Sequence, residues 1–312
     1  MNITVIGHLC LDVIQHPNGN ETQSYGGIFF SVAALANLLG TNDTINPVFG
    51  VGKEEYDALI ERVKAYPNID TSGIYKFNAP TNQVHLLYKN STDRVECSRH
   101  IAEPIPSKKI RPYLKTDMVL VNMISGFDIT LETLDEIRME TREQHIPIYM
   151  DVHSLTLGIN KDFTRYHRPV ENWRRWLFML HAAQMNEEEA AILSSEKLDE
   201  LNLAKQVLAL NTKALIVSRG EHGCTAFIDE HKHIHRLDIP AATASEAVDP
   251  TGCGDVFAAS YCAHYLKSKD VHEAVQFANK VAAHKAQMQG SVNIDNLASF
   301  RRQEFPISEH SG

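Results

Sequence analysis

"EAVDPTGCGDVFAASYCAHYL", Glu246 to Leu266, places Gly252, Cys253, Gly254 and Asp255 directly before a run of helix-forming, largely apolar residues. Glycines ahead of a helix let backbone N–H groups converge on one point, and the helix N-terminus adds partial positive charge. Together they have the make-up of an anion site. A carboxylate in the first turn also stabilises the helix itself, so an acidic, Gly-rich helix start is the plainer account of the same letters. No Walker A spacing occurs in the chain. "GCGDVF" lacks the third glycine of a dinucleotide fingerprint and lies far from the first strand, which demotes the usual nucleotide folds.

The 312 residues suffice for one large α/β domain or two ordinary ones, with a core that needs no staples. Five cysteines (Cys10, Cys97, Cys224, Cys253, Cys262) form no CxxC pair. Their odd number fits neither a disulfide framework nor a structural zinc knuckle, and a reducing cytoplasm is expected. "MNITVIGHLCLDVI" has no basic leader, and His8 and Asp12 interrupt its apolar run, so neither a signal peptide nor a membrane span is expected. A net charge of -9, from 30 basic against 39 acidic side chains, would repel a phosphate backbone. No basic stripe with interleaved aromatics occurs, which argues against nucleic acid as a partner. "RPVENWRRWLF" reads as a solvated helix face. "EHKHIHRLD" puts His231, His233 and His235 on one face of a strand; with no fourth ligand nearby, an exposed edge strand is expected rather than a metal site.

Along the chain, "NITVIGHL" reads as a central strand, "ETQSYGG" as a polar connection with a Gly-Gly turn, and "IFFSVAALANLLG" as a helix ended at Gly40. "NPVFGVG", "KEEYDALIERVKAY" and "GIYKF" continue as strand, helix, strand. "TNQVHLLYKNSTDRVECSRHI" carries a hairpin signature that interrupts the alternation. It then resumes with strands at "DMVLVNMIS", "IPIYMDVHS", "AQMN" and "TKALIVSRG" and helices at "LETLDEIRMETREQH", "WRRWLFMLHAA", "EEEAAILSS" and "LNLAKQVLAL". Such alternation predicts a mostly parallel sheet covered on both faces. "CTAFIDEHKHIHRLDI" predicts an antiparallel hairpin. Two helices follow it, one starting near Asp255 and one in "VHEAVQFANKVAAHKAQMQG", where Asp270 and Glu273 suggest a capping box. One continuous domain over 1–312 is expected, without repeats.

The company that the opening stretch keeps changes its reading. "VDPTGCGDVFAAS" resembles the C-terminal signature of the ribokinase-like (PfkB) carbohydrate kinases. "GHLCLD" at Gly7–Asp12 resembles that family's first-strand substrate motif, "YGGIFFSVAALANLLG" its Gly-Gly helix, and "NEEE" at Asn186–Glu189 its Asn-x-x-Glu motif. "VSRGEHGC" resembles its nucleotide-binding strand and turn, and "FGVGKEEYDALI" its Val-Gly-x-Asp segment. The matches run in the family's order over nearly the whole chain.

The resemblance implies a three-layer α/β/α fold with a small β lid drawn from 13–30 and 76–103, and phosphoryl transfer from ATP to an alcohol. By the same resemblance Asp255 is the general base, and the N–H groups of Gly252, Cys253 and Gly254 form an anion hole. Asn186 and Glu189 organise Mg²⁺ through water. Ser218, Gly220, Gly223 and Asn279 border the ATP. Asp12, Gly26, Gly27 and Ser31 face the acceptor, the Asp12 carboxylate accepting hydrogen bonds from a diol. The resemblance leaves room for a monovalent cation and for a homodimer through the lid.

The departures fall on the acceptor side. Ser31, after Phe29 and Phe30, stands where many members have Asn; His8 stands at a common Asn; "DVHSLTLG" after Asp151 replaces Asp-Pro-Asn-x-Arg. Aromatic residues there would stack on a base, which makes a nucleoside kinase the alternative to a sugar kinase. A catalytically silent metabolite-binding relative is the reading from a different class. Cys253 stands where Ala is common, and a thiol at a helix N-terminus is expected to have a lowered pKa and to make the protein thiol-sensitive.

Overall fold

The computed structural model describes residues 1–15, 21–88, 94–230, 233–242 and 248–304. β1 (Asn2–Ile6) leads into β2 (Leu9–Gln15) and β3 (Glu21–Gly27), then α1 (Ile28–Leu38), β4 (Thr44–Gly52), α2 (Tyr56–Lys64) and β5 (Ile74–Phe77). β6 (Asn82–Tyr88) and β7 (Arg94–Arg99) precede α3 (Ser107–Ile110), β8 (Met118–Asn122), α4 (Leu131–Arg142) and β9 (Ile148–Asp151). The short strands β10 (Leu157–Ile159) and β11 (Arg165–His167) are followed by α5 (Trp173–Leu177), β12 (Ala182–Asn186), α6 (Glu187–Ile192) and α7 (Glu200–Leu208). β13 (Ala214–Ser218), β14 (Cys224–Glu230) and β15 (His233–Ile239) complete the strands; α8 (Cys253–Ser268), α9 (Val271–Lys285) and α10 (Ala298–Glu304) complete the helices.

The large sheet runs β15-β14-β13-β12-β9-β8-β1-β4-β5, parallel from β13 to β5, with β14 and β15 antiparallel at one edge. Its middle strands are buried without alternation: every residue of β8 "MVLVN" and β9 "IYMD" is buried. That is the pattern of a parallel sheet covered on both faces. α8 packs on both α1 and α9, and the three reach β1, β4, β8, β9 and β14, while α6 and α7 pack against β12, β13 and β14. α8 is buried nearly all round, including Phe257, Tyr261, Cys262 and Leu266. The fold is therefore three-layered. β15 is an exposed edge strand, as the histidine spacing suggested, and His235 lies 3.3 Å from Glu230. His231 is outside the described residues, and among the described residues no three His, Cys, Asp or Glu side chains gather as a metal site.

A second sheet, β3-β2-β6-β7, stands beside the large one. β2 pairs antiparallel with β3 and parallel with β6, which pairs antiparallel with β7. Four sequence expectations change. "ETQSYGG" is a strand, not a connection, because β2 offers it a partner over seven residues, Leu9↔Gly27 to Gln15↔Glu21. Asp12 lies in the middle of β2, not at the end of the first strand, since the chain leaves the large sheet at Gly7. "WRRWLFMLHAA" forms only the short α5: Phe178 turns extended and Met179 takes φ 57°, which ends the helix. Asp270 caps α9 by accepting from the Glu273 N–H, without the reciprocal half of a capping box. Among the described residues no helix is long and apolar enough to cross a membrane.

Candidate active site

β1 is flanked by β4 on one side and β8 on the other, so the sheet order reverses there. Open α/β sheets bind ligands beyond the carboxyl ends of the strands near such a reversal. Asn122, Asp151, Asn186 and Ser218 are the last residues of β8, β9, β12 and β13, and the register pairs Asn122 with Asp151 and Asn186 with Ser218. A cavity of about 260 Å³ opens at this end. Its wall takes Asp151, Asn186 and Ser218 from the large sheet's rim, Glu189 from α6, Gly252, Gly254 and Asp255 from the start of α8, and Asp12 and Glu96 from the small sheet. Residues more than 240 positions apart thus share one space.

The turn before α8 is built for close approach. Gly252 sits at φ 79°, and a Cβ there would fall 2.6 Å from the Phe30 ring. Asp249 folds the turn: its Oδ1 accepts from the Thr251 N–H at 2.9 Å and its Oδ2 from the Gly290 N–H at 2.8 Å. The N–H groups of Val248 and Asp249 both donate to the Ala286 carbonyl just past α9 (2.7 and 3.0 Å). The Cys253 N–H donates to the Pro250 carbonyl at 3.1 Å, so in this arrangement it closes the turn.

Asp255 is buried in the first turn of α8, where Asn122 Nδ2 donates to its Oδ1 at 3.0 Å. Asn122 also donates to Ser31 Oγ (2.6 Å), and Ser31 donates to the Asp255 carbonyl (3.2 Å). Ser31 is therefore behind Asp255 and does not line the cavity. Burial raises the Asp255 carboxyl to about 6; the charges of His153 and Lys285 oppose the rise and that of Asp128 adds to it. Such a carboxylate is ionised at neutral pH yet basic enough to take a proton.

At the start of α6, Asn186 and Glu189 form a reciprocal capping box: Asn186 Oδ1 accepts from the Glu189 N–H and Glu189 Oε2 from the Asn186 N–H, both at 2.8 Å. Asn186 Nδ2 donates to Glu189 Oε1 at 2.8 Å, and His153 Nδ1 lies 3.7 Å from the same oxygen. Both carboxylate oxygens are thus engaged, and Glu189 lines the cavity. This suits a cation held through its water, which Mg²⁺ retains, rather than direct ligation. Burial opposes a charged His153, but the Glu189 carboxylate and the charges of Asp151 and Asp255 outweigh it and hold the ring up at about 10. Burial pushes Asp151 well above the carboxylate range, against the pull of His153. Gln184 ties the rim together, accepting from the Tyr149 hydroxyl (2.7 Å) and donating to the Gly254 carbonyl (3.1 Å) and to Asp151 (3.3 Å).

From the small sheet, β2 brings Asp12 to the cavity, and the carboxylate lies across Gly26 on β3. A Cβ on Gly26 would fall 2.0 Å from Asp12 Oδ2. Gly27 takes φ 59° and lines the cavity beside Phe30. Burial raises Asp12 to about 7; the Cys10 thiol, donating at 3.2 Å, opposes this, and the charge of Asp255 adds to it. Burial thus favours its protonated form, which can donate as well as accept.

The residues carried over for the nucleotide sit around the β13–β14 turn. Ser218 faces the cavity; Gly220 (φ 54°) and Gly223 (φ 92°) shape the turn without lining it. Asn279 donates to the Pro240 carbonyl at 2.9 Å, tying α9 to the end of β15. The expectation of an acidic Cys253 is overturned: burial pushes the thiol up to about 11, with the Lys285 charge only partly opposing it. Phe29 is also core, 5.5 Å from the Tyr25 ring.

Sequence reasoning missed Asn122, Asp151, His153, Gln184 and Glu96. The strand ends carried one usable signal, a polar residue closing each apolar run at Asn122, Asp151, Asn186 and Ser218.

Residues 2–297 match the description "pfkB family carbohydrate kinase". The ribokinase of Bacillus subtilis (strain 168) is 29% identical over 304 residues, covering 90% of this chain and 92% of its own. The cytidine kinase of Thermococcus kodakarensis is 22% identical over 283 residues, 88% and 92% of the two chains. Among solved structures, a sulfate complex of a pyrophosphate-dependent kinase in the ribokinase family superposes with a TM-score of 0.77 at 16% identity, over 95% of this chain and 99% of that one. The chain belongs to the pfkB family of carbohydrate kinases, phosphotransferases that use an alcohol group as acceptor.

Proposed function

We propose that the chain transfers the terminal phosphoryl group of ATP to a hydroxyl of a monosaccharide-sized sugar or sugar derivative. The observation that carries this reading is the buried Asp255, held by Asn122 at the start of α8 and facing the same cavity as Asp12. Asp255 accepts the proton of the acceptor hydroxyl as its oxygen bonds to the γ-phosphorus, and the bond to the ADP oxygen breaks. The N–H groups of Gly252 and Gly254, with the helix N-terminus behind them, stabilise the equatorial charge, the Cys253 N–H being held by the Pro250 carbonyl. Asn186 and Glu189 would hold Mg²⁺ through water, and the ion would neutralise donor phosphate charge. Ser218, with Gly220 and Gly223 shaping its turn, borders the donor, and Asn279 fixes the far wall.

Cavity size supports the sugar. About 260 Å³ lies below the ~300–1,000 Å³ of sites for drug-sized ligands, and the carboxylates of Asp12 and Glu96 match a polyol. The similarity to a cytidine kinase keeps a nucleoside as the second reading. Against it, Phe29 is core, and the Phe30 ring is covered by the Gly252 turn and so is poorly placed to stack on a base. The small sheet acts as a lid that excludes water from the transfer.

The test is ADP release from Mg-ATP with pentoses, hexoses, keto-deoxy acids and nucleosides, and phosphate release with pyrophosphate as the donor. Turnover with ATP and a sugar supports the reading. Turnover confined to nucleosides, or to pyrophosphate, replaces its acceptor or donor.

A further inference from the structure

Lys285, the last residue of α9, is fully buried, and its Nζ has no hydrogen-bond partner. It does not line the cavity. Its Nζ lies 5.4 Å from the centre of the Phe30 ring, which does line it, and that ring packs on Gly252. The carboxylates whose charge reaches the ammonium are Asp249 from the turn, Asp255 from α8 and Asp12 from β2, while the neighbouring Cys253 thiol is neutral. The backbone adds a physical link, because the Ala286 carbonyl next to Lys285 accepts from the Val248 and Asp249 N–H groups at the head of the turn. A second donor of the same turn is also unsatisfied: the Thr251 hydroxyl, on the cavity wall, is buried without a partner.

Burying an ammonium without a hydrogen-bonding partner costs free energy, and burial depresses its proton affinity. A ring face and carboxylates farther off compensate only part of that cost. What would compensate the rest is an anion at the turn, where Thr251, Gly252 and Gly254 line the cavity and the Thr251 hydroxyl lacks a partner. We propose that Lys285 is the positioning residue of the Gly252–Gly254 turn, its buried charge making the turn receptive to the phosphoryl group in flight. The proposal rests on the phosphoryl-transfer reading of the site. Lys285 acts through the turn, without contact to substrate.

Lys285→Met keeps the volume and removes the charge. Three measurements on the full chain separate the roles. First, calorimetry with inorganic phosphate as the probe: the affinity of wild type falls at least about tenfold in the variant, as for loss of a charged partner. Second, kcat with the acceptor found above falls roughly 10- to 100-fold, somewhat less than on removing a group that touches the oxyanion. The acid limb of kcat/KM moves to higher pH, since Asp255, faced by His153, Asp128, Asp12 and Asp151, loses a cation. Third, Tm stays level or rises, because an unpaired buried charge is gone. Lys285→Ala supplies the control for repacking: methylammonium restores its kcat while leaving Lys285→Met unchanged.

A Lys285→Met variant with phosphate affinity and kcat within about twofold of wild type overturns the proposal, as does a drop in Tm with no change in the acid limb, which would mark a packing role. If wild type turns over no acceptor but phosphate binding still depends on Lys285, the kinase reading fails and the anion-site inference stands.

Discussion

Replacing Asp255 with Asn should make the protein more stable while abolishing its activity. The carboxyl titrates at about 6 where an exposed aspartate titrates at 3.8. At about 1.4 kcal/mol for each pH unit, holding the ionised form in this buried place costs about 3 kcal/mol. The sign follows from linkage. Because the folded-state value is the higher one, the stability from this group is fully present below pH 3.8 and is lost as pH rises through 6. Asn keeps the volume, accepts from Asn122 and carries no charge. It also relieves Asp12 and Asp151, which the Asp255 charge raises. At pH 8 the variant should therefore exceed wild type by about 3 kcal/mol, a rise in Tm on the order of 5 °C. By pH 4 the difference should have faded. Thermal melts of both proteins from pH 4 to 8 provide the assay. A variant that melts below wild type at pH 8, or an advantage that does not shrink toward pH 4, would refute the reasoning.

The rate should be present above neutrality and lost on acidification, because both Asp255 (about 6) and Asp12 (about 7) lose charge there. An acid limb of kcat/KM between pH 6 and 7 is the expected outcome of a pH profile, and a flat profile down to pH 5 would contradict it. Gly26→Ala drives a Cβ into Asp12, so the acceptor KM should rise about tenfold with the donor KM unchanged; initial-rate kinetics with each substrate varied would check this. A thiol pKa held up at about 11 should make Cys253 slow to alkylate. Peptide mapping after brief maleimide treatment at pH 7 should find Cys97 labelled ahead of Cys253, although both are half-buried, and the reverse order would show that the Cys253 thiol is not held up as described.

Much of the architecture was legible because it rests on local patterns. The apolar runs at "MVLVN" and "IYMD" announce fully buried parallel strands, and Gly252 announces the turn that its φ of 79° requires. "ETQSYGG" was misread because its polar residues carry no strand period of their own; pairing with β2 overrides composition. The candidate site was legible where motifs are local, as at Asp255, Gly252 and the Asn186–Glu189 cap, which share one cavity. It was illegible where tertiary structure makes the chemistry. Asn122 is unremarkable until β8 ends beside α8, and Lys285 reads as one more basic residue near a helix C-terminus until packing buries it against Phe30. Cys253 shows the same limit from the other side: the helix terminus favours a thiolate, but burial outweighs it.

The measurement that tests the central claim most directly is transfer by Asp255→Asn at pH 8 with the acceptor that wild type uses, alongside the binding of Mg-ATP and acceptor to both proteins. The account predicts that binding survives within a few-fold while kcat falls by at least about 100-fold, the usual contribution of a positioned base. A variant that transfers phosphate at a rate within a few-fold of wild type would contradict it, since the acceptor proton would then have some other destination.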